Sequence, residues 1–183
     1  MDAGRTIALG LRGVLLLGLV WALMQGRLDY VGILGASVIA SALVGWIQRR
    51  YFGPMGIYLD VLFALLIVFN NLFGLVFDFY HTVPGWDIAT HYTTSIFLAV
   101  SGLVLLERGY PQMIKQVPKP AVVFAVTLFA LGLGGLWEIG EFSSDFLRMT
   151  DFQQGLTNTM QDLIVDLGAG IVVGTAWAWK RKY

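Results

Sequence analysis

Three pairs of ionisable residues at helical spacing carry the chemistry this chain could do: Asp87 with His91, Glu138 with Glu141, and Asp162 with Asp166. Positions four apart on a helix differ by about 40° and roughly 6 Å of rise, and positions three apart by about 60°. Each pair can therefore point into one space between helices, so that five carboxylates and one imidazole could converge at one depth. Mutually repelling carboxylates need a cation to neutralise them. No lysine and one arginine, Arg148, lie near them in sequence, so a metal ion is the simplest partner. Carboxylates with a single imidazole suit Mn, Fe or Zn, and carboxylates alone suit Mg or Ca. The expected ligands of a divalent ion are His91, Glu141, Asp162 and Asp166, with Glu138 or Asp87 as general base for an activated water. Protonated carboxyls that share protons among themselves are the metal-free alternative.

The elements that must position these groups are membrane spans. Hydrophobic residues make up 57% of the chain and charged residues 13%, with a mean hydropathy of +0.71. Soluble domains carry about 25% charged residues, so this chain belongs in lipid. Apolar runs cover roughly 7–24, 30–47, 57–80, 88–106, 121–137 and 163–179, each near the length a helix needs to cross the hydrocarbon. The reading is all-α: residues 1–183 form a single integral membrane domain, a polytopic bundle of six transmembrane helices. The first run, with Arg5 ahead of it, resembles a signal peptide, but Arg12 and the lack of a small-x-small cleavage site favour a retained anchor. The absence of cysteine excludes disulfides, thiolate ligands and thiol nucleophiles.

Orientation follows from the basic residues. With a cytoplasmic N-terminus, ten Lys and Arg fall inside, and two, Arg27 and Arg148, fall outside. The same arrangement puts Trp21, Trp86 and Trp137 at the outer interface and Trp46, Trp177 and Trp179 at the inner one. Both termini are then cytoplasmic in a cell membrane, and all three pairs lie in or near the outer leaflet. Lys180-Arg181-Lys182 serves as a topology determinant and a contact for anionic headgroups of membrane lipids.

Each member of the cluster also has a plainer role open to it. Asp87, after Pro84-Gly85-Trp86, could cap the fourth span, and Thr159-x-x-Asp162 fits a capping box. Glu138 and Glu141 could lie in water beyond the fifth span, and His81 in a solvated loop. Asp166 and His91 resist this treatment, because each lies a full turn inside its apolar run. Asn70 and Asn71 are expected to make interhelical hydrogen bonds, Asp60 to meet water or Arg50, and Gly170-x-x-x-Gly174 to pack helices tightly within the molecule.

Trp86-Asp87-x-x-x-His91, Trp137-Glu138-x-x-Glu141 and Gln154-Gly155…Asp162-x-x-x-Asp166-x-Gly168-Ala169 together resemble the three signature blocks of the YjdF-like integral membrane proteins. More distantly they resemble VanZ-like proteins, which share an Asp-x-x-His opening, a later Glu and a final Asp with a Gly. The resemblance spans roughly residues 57–179. Here Asp and His stand four apart instead of three, and the basic residue of the VanZ pattern has no counterpart unless Arg148 takes its place. The resemblance supports the site and implies no particular reaction.

Three functions fit these residues. The first is a metal-dependent enzyme acting on a lipid or lipid-linked substrate at the outer leaflet. The second is a cation-binding or transport protein with an acidic funnel, for which the inner half offers only Asp60, Asn70 and Asn71 as an exit path. The third is a non-catalytic membrane scaffold whose acids satisfy one another and helix ends. No phosphate-cradling glycine loop, Ser-His-Asp order or nucleic-acid motif is present, so no nucleic-acid partner is expected.

Overall fold

The computed structural model of the protein describes residues 3–147, 153 and 155–181, and for Asp29 the backbone alone. Arg148, Gln154 and Lys182, which enter the readings above, lie outside the described residues. Among the described residues every regular element is helical, and six stretches are long and apolar enough to cross a membrane. They are Ala3–Met24, Tyr30–Tyr51, Pro54–Val76, Trp86–Gly109, Lys119–Phe146 and Leu156–Lys180. The fold is an all-α polytopic helix bundle. Its contacts divide into two compact units, Met1–Thr90 and His91–Tyr183.

The first unit holds α1 (Ala3–Met24), α2 (Leu28–Tyr51), α3 (Pro54–Ile67), a π-helical segment (Val68–Val76) and the short α4 (Phe79–Thr82). Its core joins Leu15 and Ala22 of α1 and Leu34 of α2 to Val68, Leu72 and Val76. The third apolar run is thus not one uniform helix to residue 80. The Asn70 amide donates to the Leu66 carbonyl (3.0 Å), a side chain competing for main-chain acceptors where the helix widens. Asn71 donates to Ser37 Oγ on α2 (2.7 Å), the expected interhelical bond. Beyond the segment Asp78 takes the left-handed conformation (φ 61°), which a short polar side chain tolerates. Its carboxylate lies 2.5 Å from Nδ1 of the exposed His81, so both residues shape a surface turn.

Asp60 has partners other than those its position suggested. Buried to 1% exposure, it pairs with Arg12 of α1 and Arg49 of α2, where Arg50 or water was expected. Arg49 and Arg50 differ by about 100° around the helix, and it is Arg49 that faces α3. Arg12 also donates to the Ser41 carbonyl (2.7 Å) and Ser41 Oγ (3.2 Å). A Cβ on Gly45 would overlap the pair, reaching 2.8 Å from Asp60 Cγ. Asp60→Ala is expected to cost about 3–5 kcal/mol, because two arginines would be left facing each other without their acid. Gly45→Ala should cost about 1–3 kcal/mol by overpacking. Thermal melting in detergent measures both, and a wild-type melt for Asp60→Ala would refute the network.

The second unit comprises α5 (Trp86–Gly109) from His91 onward, α6 (Pro111–Gln116), α7 (Lys119–Phe146) and α8 (Leu156–Lys180). Ala99 and Leu103 of α5, Ile114 of α6, and Val122, Val126 and Ala130 of α7 form its core. Gly170 and Gly174 let α8 lie directly on α7: added Cβ atoms would meet Thr127 Cα at 2.7 Å and Val123 Cα at 3.0 Å. The small-residue motif therefore packs helices within the molecule, as expected.

Candidate metal centre

Helix boundaries decide which acids are free of structural duty. Gly155, at φ 97°, a conformation that L side chains avoid, fixes the start of α8 at Leu156. Asp162 is therefore nearly two turns inside the helix, and the capping box at Thr159 is not formed. Helix α7 continues to Phe146, so Glu138 and Glu141 are both helical and not in a loop. Asp87 sits in the first turn of α5, one turn before His91.

Inside the second unit, His91, Glu138, Asp162 and Asp166 come together. The imidazole Nε2 lies 3.5 Å from Glu138 Oε1, and Nδ1 lies 3.6 Å from Asp166 Oδ1. A His91 nitrogen and an Asp162 oxygen are within 4.8 Å of each other. Asp87 brings a carboxylate oxygen equally close to His91 along their shared helix. Two ligands each about 2.1 Å from one ion, at angles of about 90–109°, stand roughly 3.0–3.4 Å apart. The 3.5 Å between His91 Nε2 and Glu138 Oε1 is close to that range, and His91 and Asp162 stand within 4.8 Å of each other.

Burial makes the arrangement costly without a cation. Glu138 is 5% exposed, and Asp162 and Asp166 are 1% exposed. Both Glu138 oxygens, and Oδ2 of Asp166, are buried without a hydrogen bond. Among the described residues, the cationic partner of both Glu138 and Asp166 is His91. One imidazolium can balance one of these charges. A divalent ion can balance more, and carboxylates with imidazole are the donor set that Mn, Fe or Zn accepts.

Two further residues shape the site, and Ser95 was not singled out from sequence. Ser95, one turn after His91, donates to Asp166 Oδ1 at 2.6 Å and fixes that carboxylate. Gly134, one turn before Glu138, leaves room for it: an added Cβ would overlap Asp166 Oδ2 and lie 2.7 Å from its Cγ. Glu141, expected among the ligands, is placed differently. Its Oε1 accepts the indole N–H of Trp137 at 2.8 Å, on a more exposed face of α7. Of the two acids it is Glu138 that is buried, at 5% exposure.

Comparison with known proteins shows the family of the chain. Residues 7–182 match the family model described as predicted membrane protein (DUF2238), the family of the YjdF-like proteins. The chain belongs to this family. It is 34% identical over 104 residues to an uncharacterized protein of Thermotoga maritima, a stretch covering 55% of this chain. The match spans about half, 52%, of that relative's length. No solved structure matches. As a DUF2238 protein with six apolar helices, the chain is a membrane protein.

Proposed function

We propose that this membrane protein binds a divalent metal ion through His91 and Asp162, with Glu138 drawn in by the ion to complete the set, and uses it to act on a lipid or lipid-linked substrate. The observation that carries the reading is Glu138, buried to 5% exposure, with neither oxygen hydrogen-bonded and Oε1 3.5 Å from His91. A buried carboxylate without donors is expensive, and metal coordination is one of the few ways to hold it ionised.

The roles of the remaining groups follow from the two faces of the imidazole. Asp166 Oδ1, held by Ser95, lies 3.6 Å from Nδ1. Closing that gap to hydrogen-bond distance would fix the proton on Nδ1 and leave Nε2 for the metal, the usual carboxylate–histidine arrangement. Asp166 is then a positioning residue. Asp87 is only half-buried, so it can exchange protons with solvent and serve as general base. A divalent ion held there supplies Lewis-acid activation of a water or a phosphoryl oxygen.

The metal is tested by elemental analysis of protein purified without chelator, with about one Mn, Fe or Zn per chain expected. A metal content indistinguishable from a blank would remove the proposal. The positive-inside count supports placing both termini in the cytoplasm and the acids in the outer leaflet of the cell membrane. A reporter fused after Tyr183 or inserted at Gly109 is expected to be cytoplasmic. A tag between residues 150 and 155 is expected to be reachable from outside intact cells. Labelling of that tag only after permeabilisation would reverse the orientation.

A further inference from the structure

At the opposite end of the α7–α8 hairpin from the acids, the two helices leave a groove of about 490 Å³ on their apolar surface. Phe124 and Leu128 of α7 and Leu167 and Ile171 of α8 form its walls, and the smaller Thr175 and Ala178 leave space between them. Thr127, also in the lining, donates its hydroxyl to the Val123 carbonyl at 2.8 Å, so it asks nothing of a ligand. The close approach of the helices at Gly170 and Gly174 gives the groove a continuous protein floor.

The ends of the groove differ. Lys119 lines one end, where Lys180 closes α8 and Lys115 lies on α6. The Lys119 ammonium donates to the Arg181 carbonyl, which ties the start of α7 to the end of α8. The nearby acid, Glu107, is already engaged, accepting from Trp177 Nε1 at 2.7 Å and Arg181 Nη2 at 2.5 Å. The mouth is therefore net basic. The lined stretch of α7, Lys119 to Leu128, rises about 13 Å at 1.5 Å per residue, close to the depth of one leaflet's hydrocarbon.

We propose that this groove is a specific site for an anionic phospholipid of the surrounding bilayer, one acyl chain lying along α7 and α8 and its phosphate at Lys119 and Lys180. An apolar slot of one-leaflet depth fits a single chain anchored at the interface. A basic mouth between helices selects an acidic headgroup. The site is independent of the acidic cluster and does not rest on the metal.

The test reconstitutes the purified chain in nanodiscs of phosphatidylcholine with or without phosphatidylglycerol, then counts the lipid retained after detergent extraction. A lysine near an acidic headgroup contributes about fivefold in affinity. Wild type is expected to retain phosphatidylglycerol over phosphatidylcholine by about tenfold or more. Lys119→Gln/Lys180→Gln should lose most of this preference, and Ala178→Phe, which fills the groove, should lose it with the lysines intact. Thr175→Leu, a smaller filling change at an exposed position, is tested in parallel, and only variants that melt like wild type in phosphatidylcholine are compared. Equal retention of the two lipids by wild type would overturn the site. So would a preference that survives both filling substitutions, since surface charge alone would then explain it.

Discussion

Glu138→Gln is expected to strip the protein of divalent metal, whereas Glu141→Gln leaves the metal in place. The two acids are three residues apart on α7, but they do different things: Glu138 faces His91, and Glu141 accepts from Trp137. Metal-free Glu138→Gln should melt at or above the temperature of metal-free wild type, because a neutral amide replaces a buried charge that lacks hydrogen bonds. Added Mn or Zn should stabilise wild type by about 2.7 kcal/mol at roughly 100 times its Kd, since a ligand that binds only the folded state shifts the equilibrium by mass action. Glu138→Gln should gain little of this. His91→Ala and Asp162→Asn should behave like Glu138→Gln. With α8 starting at Leu156, Asp162→Asn tests a ligand and not a cap. Metal retained by Glu138→Gln and lost by Glu141→Gln would reverse the roles of the two acids. Melting of wild type that ignores both chelator and divalents would leave the scaffold reading in front.

What the sequence revealed and what it hid have separate physical causes. Spans are legible because each residue's transfer free energy adds along a run, so six hydrophobic stretches appear without any knowledge of their neighbours. Partners between spans are not additive along the chain. Nothing in the order of residues says that Arg12, rather than Arg50, meets Asp60. The π-helical segment was hidden for the same reason, since Asn70 and Asn71 fit an α-helix as well as a widened one. Between Glu138 and Glu141, spacing could not choose, because a transmembrane helix is apolar all round and shows no polar face. One signal was present. Thr127, Ala130, Gly134 and Glu138 follow a helical stripe, and all four are buried. Small residues below Glu138 on that stripe mark the face that α8 approaches, while Trp137 and Glu141 share another face at a spacing of four.

Gly134→Ala is expected to weaken metal binding by roughly 10–100-fold, the range typical for disturbing groups that orient a ligand. The three atoms nearest the added methyl all belong to Asp166, so the effect is expected to travel through that residue. The new Cβ would lie 2.7 Å from Asp166 Cγ and overlap Oδ2. Asp166 cannot simply swing away, because Ser95 holds its other oxygen at 2.6 Å and the imidazole stands 3.6 Å from it. Nor can α8 retreat as a body. Gly170 and Gly174 sit against Thr127 and Val123 of α7, and that contact would open if the helices parted. The strain should also cost about 1–3 kcal/mol of stability. Gly132→Ala is the matched control, two residues away on the same helix with nothing within 4 Å of an added Cβ. It should bind metal like wild type and melt no lower, since alanine favours helix by up to about 1 kcal/mol over glycine. Isothermal titration with Mn and Zn, beside melting curves for both variants, measures the difference. If Gly134→Ala binds and melts like Gly132→Ala, Asp166 does not lie against α7. The orientation of His91 by Asp166 would then have to be abandoned, even with the metal itself confirmed.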